Sequence, residues 1–283
     1  MSLIAKKTTS KRLGKEVRAT RAFLGLHWDL TVRYFAWDLV WLVYHLIAAF
    51  TVGYIGVASG ATPAYVPAGQ SFTAYLLLGA VMWSYLSVIF FIVADTIALE
   101  RWEGTLEYTF MAPVHRFTHL TGVALVGLIY SIVRTVLMIF ILWWAFGLEF
   151  TRVNLLACVI SLAVGSLAMI GLSLCAAVMP LLSPEKGSQA NHILSAVLLL
   201  ASGVYYPITA LPEWIRWLAY VNPAYWLLQA QRKALLAGAP LSATWGDIGA
   251  LLLTGLLYVP LGYLLFSWAE RYAKRTGLLK RSG

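Results

Sequence analysis

The stretch Glu100-Arg101-Trp102-Glu103-Gly104-Thr105-Leu106-Glu107-Tyr108-Thr109-Phe110-Met111-Ala112-Pro113-Val114-His115-Arg116 lies between two long apolar runs and carries four charges in its first eight positions. The chain around it is only 12% charged and 60% hydrophobic, well above the roughly 45–50% apolar content of soluble domains. The stretch therefore reads as a connector between membrane-crossing helices, and its polarity suits a soluble partner better than lipid.

Outward from this connector, apolar blocks of about 18 residues or more with few charges read as transmembrane helices. Five qualify, at 34–58, 72–99, 120–148, 153–178 and 248–269, and a sixth at 191–206 becomes a full span only with the polar residues before it. The expectation is an all-α integral membrane protein of six transmembrane helices, with residues 1–283 forming a single transmembrane domain. Eight of the 21 Lys and Arg residues precede the first span and five follow the last. With both termini on one side, that side holds sixteen basic residues and the other holds four, while Arg134 lies within a span. The positive-inside rule then makes both ends cytoplasmic, in a plasma membrane or bacterial inner membrane. The net charge of +9 is a topology signal and calls for no nucleic acid, although anionic lipid headgroups also attract such ends. The first 33 residues lack the compact apolar region and cleavage site of a signal peptide.

Residues 1–32 form a basic cytoplasmic segment, and within it 11–32 read as an interfacial helix. Leu13, Val17, Leu24 and Trp28 fall within about 60° of one another on a helical wheel, with Lys and Arg elsewhere, as in a helix lying in the headgroup layer. A disordered basic tail is the alternative, because Arg21 intrudes on the stripe. The basic tail 270–283 closes the chain. Residues 206–245 are too polar to span and too apolar for an ordinary loop. Pro207, Pro212, Pro223 and Pro240 cut this region into short pieces. Trp214, Trp217, Tyr220, Tyr225 and Trp226 suit the membrane boundary. Short re-entrant external helices before the sixth span fit that pattern, with an amphipathic surface loop as the alternative.

In the connector 99–118, Trp102, Leu106 and Phe110 recur at i, i+4 and i+8, one face of a helix. Glu103 and Glu107 flank that face, Gly104 and Thr105 allow close backbone approach, and Pro113 ends the helix. The order Glu100, Gly104-Thr105-Leu106-Glu107, Pro113 and Arg116 resembles the cytoplasmic loop of type-2 ATP-binding-cassette (ABC) exporter permeases. A second block, Pro207, Leu211-Pro212, Trp214, Trp217, Asn222-Pro223 and Tyr225 through Arg232, is similar to the same family's signature before its last span. Ala112, where Thr or Ser is expected, departs from the pattern but is small.

The resemblance implies a homodimer of six-span subunits, each bound to one of two copies of a soluble nucleotide-binding ATPase subunit that carries ATP and Mg. It places Glu100, Arg101, Trp102, Glu103, Gly104, Thr105, Leu106, Glu107, Phe110 and Pro113 in a cytoplasmic coupling helix between spans two and three. Pro207, Pro212, Trp214, Trp217, Asn222, Pro223 and Tyr225 would form an external gate. The cargo classes it implies are amphiphilic: drugs, lipids, lipo-oligosaccharides and lipid-linked polysaccharides.

Arg134, mid-span, is costly to insert, at about 2.5–3.5 kcal/mol. It needs either a structural partner, such as Asp38, Asp95 or another polar group, or a place as a conduit charge meeting anionic cargo. No Gly-rich phosphate loop exists, so this chain binds no nucleotide in that manner and no cofactor is expected on it. An intramembrane Ser173–His192 hydrolase dyad lacks the second glycine of a nucleophile elbow and any supporting acid; no catalytic residue is assigned. His115 and His119 are four apart but follow Pro113 without a nearby carboxylate after Glu107, so no metal site is expected. Cys158 and Cys175 are roughly 25 Å apart along one helix and do not pair within it. The competing function class is a stand-alone membrane channel or scaffold.

Overall fold

The computed structural model describes residues 2–60, 62–66, 70–112, 116–148 and 153–278, and no strand occurs among them. Helix α1 (Ser2–Arg33) passes through a turn at Tyr34 into α2 (Phe35–Ala58). Next come α3 (Phe72–Ala94), the short α4 (Thr96–Glu103) and α5 (Leu106–Met111), and the long α6 (Arg116–Phe146). The second half holds α7 (Leu155–Ala176), α8 (Val178–Leu182) and α9 (Gly187–Leu200). It continues with α10 (Glu213–Val221), α11 (Pro223–Gln231) and α12 (Leu241–Thr276).

Five helices are long and apolar enough to cross a membrane: α2, α3, α6, the run Leu155–Leu182 and α12. The sixth expected span, 191–206, is shifted. Its helix starts at Gly187 and stops at Leu200, and its 14 residues cover about 21 Å of a hydrocarbon core about 30 Å thick. Gly187 sets the start, because a Cβ there would lie 2.3 Å from Pro180 Cα and so only glycine fits beside α8. Beyond Leu200 the chain unwinds, with Gly203 at φ +71°.

Arg101 on α4 donates to the carbonyls of Pro180, in α8, and Leu278, just past α12, both at 3.2 Å. Helix α1, α4, the α8–α9 turn and the last turns of α12 therefore share one end, the proximal end. The opposite, distal end holds the start of α3 and of α12 and the segment between α9 and α12. Helix α3 is buried nearly all round and forms the centre, whereas α2 lies at the rim with Trp37, Tyr44, Ile47 and Tyr54 exposed.

The tightest seam joins α7 to α12. Lipid tails are as apolar as leucine, so helices in hydrocarbon associate through close packing of small residues rather than through hydrophobic burial. A Cβ at Gly171 would sit 2.7 Å from Val259 N, and one at Gly262 would sit 2.8 Å from the Gly171 carbonyl. Each glycine thus admits the other helix's backbone. Gly249, on the same α12, has nothing within 4 Å of its would-be Cβ.

The helix expected over 11–32 is present within α1. Half-buried Phe23 and buried His27 pack against the first turns of α6, while Trp28 remains 46% exposed; the side chains of Leu13 and Val17 lie outside those described. Gly171→Ala or Gly262→Ala should lower stability by about 1–3 kcal/mol, the cost of overpacking, read as the thermal unfolding midpoint in detergent. Gly249→Ala should match the wild type within about 1 °C or exceed it; equal destabilisation at all three positions would contradict the seam.

Candidate functional site

The connector does not form one helix. Gly104 adopts φ +75° and ends α4, its N–H bonding to the Arg101 carbonyl while Thr105 N–H bonds to that of Glu100 at 2.9 Å. Only glycine enters this left-handed region without a Cβ penalty. The turn rotates α5 relative to α4, so the expected ridge of Trp102, Leu106 and Phe110 is broken. Leu106 and Phe110 are core residues, 2% and 4% exposed, whereas Trp102, Tyr108 and Met111 are 67%, 79% and 83% exposed. The face open to a partner is therefore Trp102, Glu107, Tyr108 and Met111. Among the expected coupling residues, Glu100 is buried, and Arg101, Glu103, Gly104 and Thr105 are half-buried. Pro113 and His115 lie outside the described residues.

Each buried or half-buried residue has a mechanical task. Arg101 braces α4 on the Pro180 and Leu278 carbonyls. Glu103 accepts from Tyr34 Oη at 2.5 Å and lies 4.0 Å from Arg33, which ties α4 to the α1–α2 turn. The Tyr34 hydroxyl is pushed above its usual range, chiefly because it donates to that carboxylate. Glu100 bonds His119 on α6 at 2.5 Å.

The strongest brace is Arg116. Its Nη1 and Nη2 donate to the Thr109 and Phe110 carbonyls at 2.6 Å each, closing the last turn of α5. Its Nε donates to Glu270 Oε1 on α12 at 2.8 Å, and its guanidinium lies 4.5 Å from the centroid of the Phe110 ring. Lys274 joins the same carboxylate at 2.7 Å. Arg116 is visible in the motif, but Glu270 stands 154 positions away and no local pattern marks it. It lies at the proximal end only because α12 is 36 residues long, about 54 Å.

At the distal end, the 206–245 segment doubles back beside α12. Tyr258 Oη donates to the Val221 carbonyl at 2.7 Å, and Lys233 pairs with Asp247 at 2.7 Å. The two anchor points on α12 are eleven residues apart, about 16 Å, so α11 climbs that distance antiparallel to α12 after α10 has led the chain inward. Asn222 makes the hairpin's deep corner: it is buried, caps α11 by accepting from Ala224 N at 3.0 Å, and donates to the Leu198 carbonyl at 2.8 Å. Pro223 occupies the first turn of α11, where its missing N–H costs nothing. Of the expected gate residues, Asn222 and Pro223 are buried, Pro207 and Tyr225 half-buried, and Pro212, Trp214 and Trp217 exposed.

Two interior arginines are answered within the chain. Arg232 opens a π-helical turn (Arg232–Leu236), donates to Gly203 O at 3.0 Å and Val204 O at 2.8 Å, and lies 3.6 Å from the Tyr75 ring centroid. Arg134, 8% exposed, donates from Nη2 to the Trp41 carbonyl at 2.6 Å and meets His45 Nδ1 at 2.8 Å, with Asp38 and Tyr130 close enough to interact. Asp95 instead accepts from Asn191 at 2.8 Å. Of the partners open in the sequence, Asp38 with the α2 backbone is the one the fold supplies. Ser173 donates to the Met169 carbonyl at 2.7 Å and His192 packs on Phe91 at 4.8 Å, so these two do not assemble a hydrolase dyad.

With this geometry described, comparison with known proteins adds a family. The family model described as "ABC-2 family transporter protein" matches residues 41–264. A protein named "Probable multidrug ABC transporter permease YbhR" from Escherichia coli strain K12 is 21% identical over 183 residues, covering 63% of this chain and 48% of that protein. The protein of the same name from Escherichia coli O157:H7 gives the same figures. The chain spans about half the length of the curated relatives it matches.

Arg116→Ala leaves Glu270 to Lys274 alone and removes the charge-assisted hydrogen bonds to the Thr109 and Phe110 carbonyls, and should cost about 1.5–3 kcal/mol, seen as a lower unfolding midpoint; a change below about 1 kcal/mol would show the brace to be idle. Arg134→Gln should likewise lower the midpoint of the purified chain, by about 2 kcal/mol or more for a buried charge-assisted hydrogen bond. Unchanged stability combined with lost transport would assign that side chain to the conduit instead.

Proposed function

The chain belongs to the ABC-2 transporter family, and from that premise we propose that it is the membrane-spanning subunit of an ATP-driven exporter. It works as a homodimer in a plasma or bacterial inner membrane, with both termini cytoplasmic. Two soluble ATPase subunits, which hold ATP and Mg, dock at its proximal end. The observation that supports this most is the build of residues 100–116. A segment braced by Arg101, Glu103 and Arg116 nonetheless exposes Trp102, Tyr108 and Met111 beside Glu107. Aromatic residues and Met are the side chains enriched at protein interfaces, and such a surface has no use in a stand-alone channel.

The mechanism follows from the braces. ATP binding draws the two ATPase subunits together, and each pushes on the exposed face of α4 and α5. Arg116 passes that displacement to α12 through Glu270 and to α6, on which it sits. Arg101 passes it to α8, and Glu103 to the α1–α2 turn. The push therefore reaches helices α2, α6, α7 and α12 as rigid bodies. A path opens along the dimer seam, capped on the outer side by α10 and α11. The cargo is amphiphilic, a drug-like compound, a lipid or a lipid-linked glycan. The relative's name favours the first of these.

The test is co-reconstitution of the chain with its cognate ATPase subunit. Trp102→Ala with Tyr108→Ala removes two exposed aromatics and none of the hydrogen-bonding groups of the braces, with only the Trp102 ring contact to Tyr34 at 5.7 Å lost beside them. At about 2 kcal/mol for an interface hot spot, association should weaken about 30-fold or more, with coupled ATP hydrolysis and export falling together while the chain still purifies as a folded dimer. Undiminished association and export would refute this docking face. Labelling of Glu107→Cys only from the outer side would refute the orientation.

A further inference from the structure

We propose that His27, Glu100 and His119 form a binding site for one divalent transition-metal ion of the zinc type, which joins α1, α4 and α6 at a single point. The three side chains come from separate helices and are 6%, 1% and 0% exposed. Their ligating atoms all lie within 4.8 Å of one another. His119 Nε2 is 2.5 Å and His27 Nε2 3.8 Å from the same atom, Glu100 Oε1. Zinc bonds of about 2.0–2.2 Å to imidazole nitrogen and carboxylate oxygen place tetrahedral ligands about 3.3 Å apart, and the two separations bracket that value. Two imidazoles and one carboxylate are an established zinc donor set.

A second observation points the same way. His27 Nε2, which faces the carboxylate, has no hydrogen-bond partner, and neither has Glu100 Oε2. Buried polar atoms are almost always paired, so of the cluster's three orphans, His119 Nδ1 being the third, these two at the carboxylate call for a ligand. The two Nη groups of the neighbouring Arg101 donate to the Pro180 and Leu278 carbonyls instead. A divalent ion offsets the carboxylate, uses both imidazole lone pairs and gives Glu100 Oε2 a place as a second carboxylate ligand or beside a bound water. Ligation through His119 Nε2 requires the hydrogen of the His119–Glu100 bond to leave that nitrogen.

The occupied site would pin the first helix of the coupling element to the bundle. That consequence for transport rests on the coupling reading above; the binding itself does not. The test therefore uses the purified, untagged chain without any ATPase, titrated with zinc by calorimetry and with Co(II) as a spectroscopic probe. One ion per chain, with the visible ligand-field bands of tetrahedral Co(II), is the expected result. His27→Ala should weaken binding about 100-fold or more, since loss of a mere supporting contact already costs 10–100-fold. His192→Ala, which removes a histidine packed on Phe91 elsewhere, should leave binding unchanged. If His119→Ala fails to fold, as judged by gel filtration, His27→Ala on the peripheral α1 carries the test alone. No stoichiometric binding, or equal binding by wild type and His27→Ala, overturns the proposal.

Discussion

Hydrocarbon offers a bare backbone carbonyl no partner, and this fold meets that constraint with one side chain where the helix gives out. The unwound stretch after α9 leaves the Gly203 and Val204 carbonyls outside any helical ladder, and both are taken by the fork of Arg232. The guanidinium is in turn covered by the Tyr75 ring at 3.6 Å. Arg232 reaches them because α11 ends in a π turn, which shifts the side chain's direction relative to a regular helix. The shortness of α9, the inward dip of α10 and α11 and the position of α3 all hang on this arrangement. A lysine there would be a point charge without the fork that satisfies two carbonyls at once.

The same logic is applied differently at the proximal end, where charges are numerous. There the polar groups do not simply neutralise each other; they splint two short helices to the ends of long ones. Helices of eight and six residues have no stability of their own, since isolated helices under about 12–15 residues are marginal. Arg116 donates to the last-turn carbonyls of α5 and anchors that turn to Glu270 on the distant α12, while Arg101 anchors α4 to the Pro180 carbonyl of α8. What is left exposed is then the aromatic and sulfur surface with Glu107 beside it, held at a defined angle by the left-handed turn at Gly104.

In the α7–α12 seam Gly171 and Gly262 let the two backbones touch, and interlocked small residues tolerate sliding poorly. Helix α2, with its apolar face open, is the element free to meet lipid or a second copy. The buried group of His27, Glu100 and His119 sits where α1, α4 and α6 meet, between the docking face and the spans.

Much of this was legible in the residues. Runs of apolar side chains long enough for a bilayer identify five crossings, and proline and aromatic spacing marks 206–245 as broken and membrane-associated. Periodicity misled in the connector because a 3.6-residue pattern presumes an unbroken helix, and one glycine at φ +75° turned Leu106 and Phe110 inward. The sixth span was misplaced for a related reason: hydropathy sees 191–206 as continuous, whereas packing of Gly187 on Pro180 and of Arg232 on Gly203 and Val204 decides where the helix begins and stops. His115 drew attention to His119 by proximity, but the partners the fold supplies are 19 and 92 positions away. Composition and order alone determined that the chain is a helical membrane protein with a charged connector and a proline-cut segment, because burial in lipid is a property of local runs. Which faces are exposed, which arginines are braces and which histidines meet were decided by tertiary structure, because those outcomes depend on contacts between residues that the chain order keeps far apart.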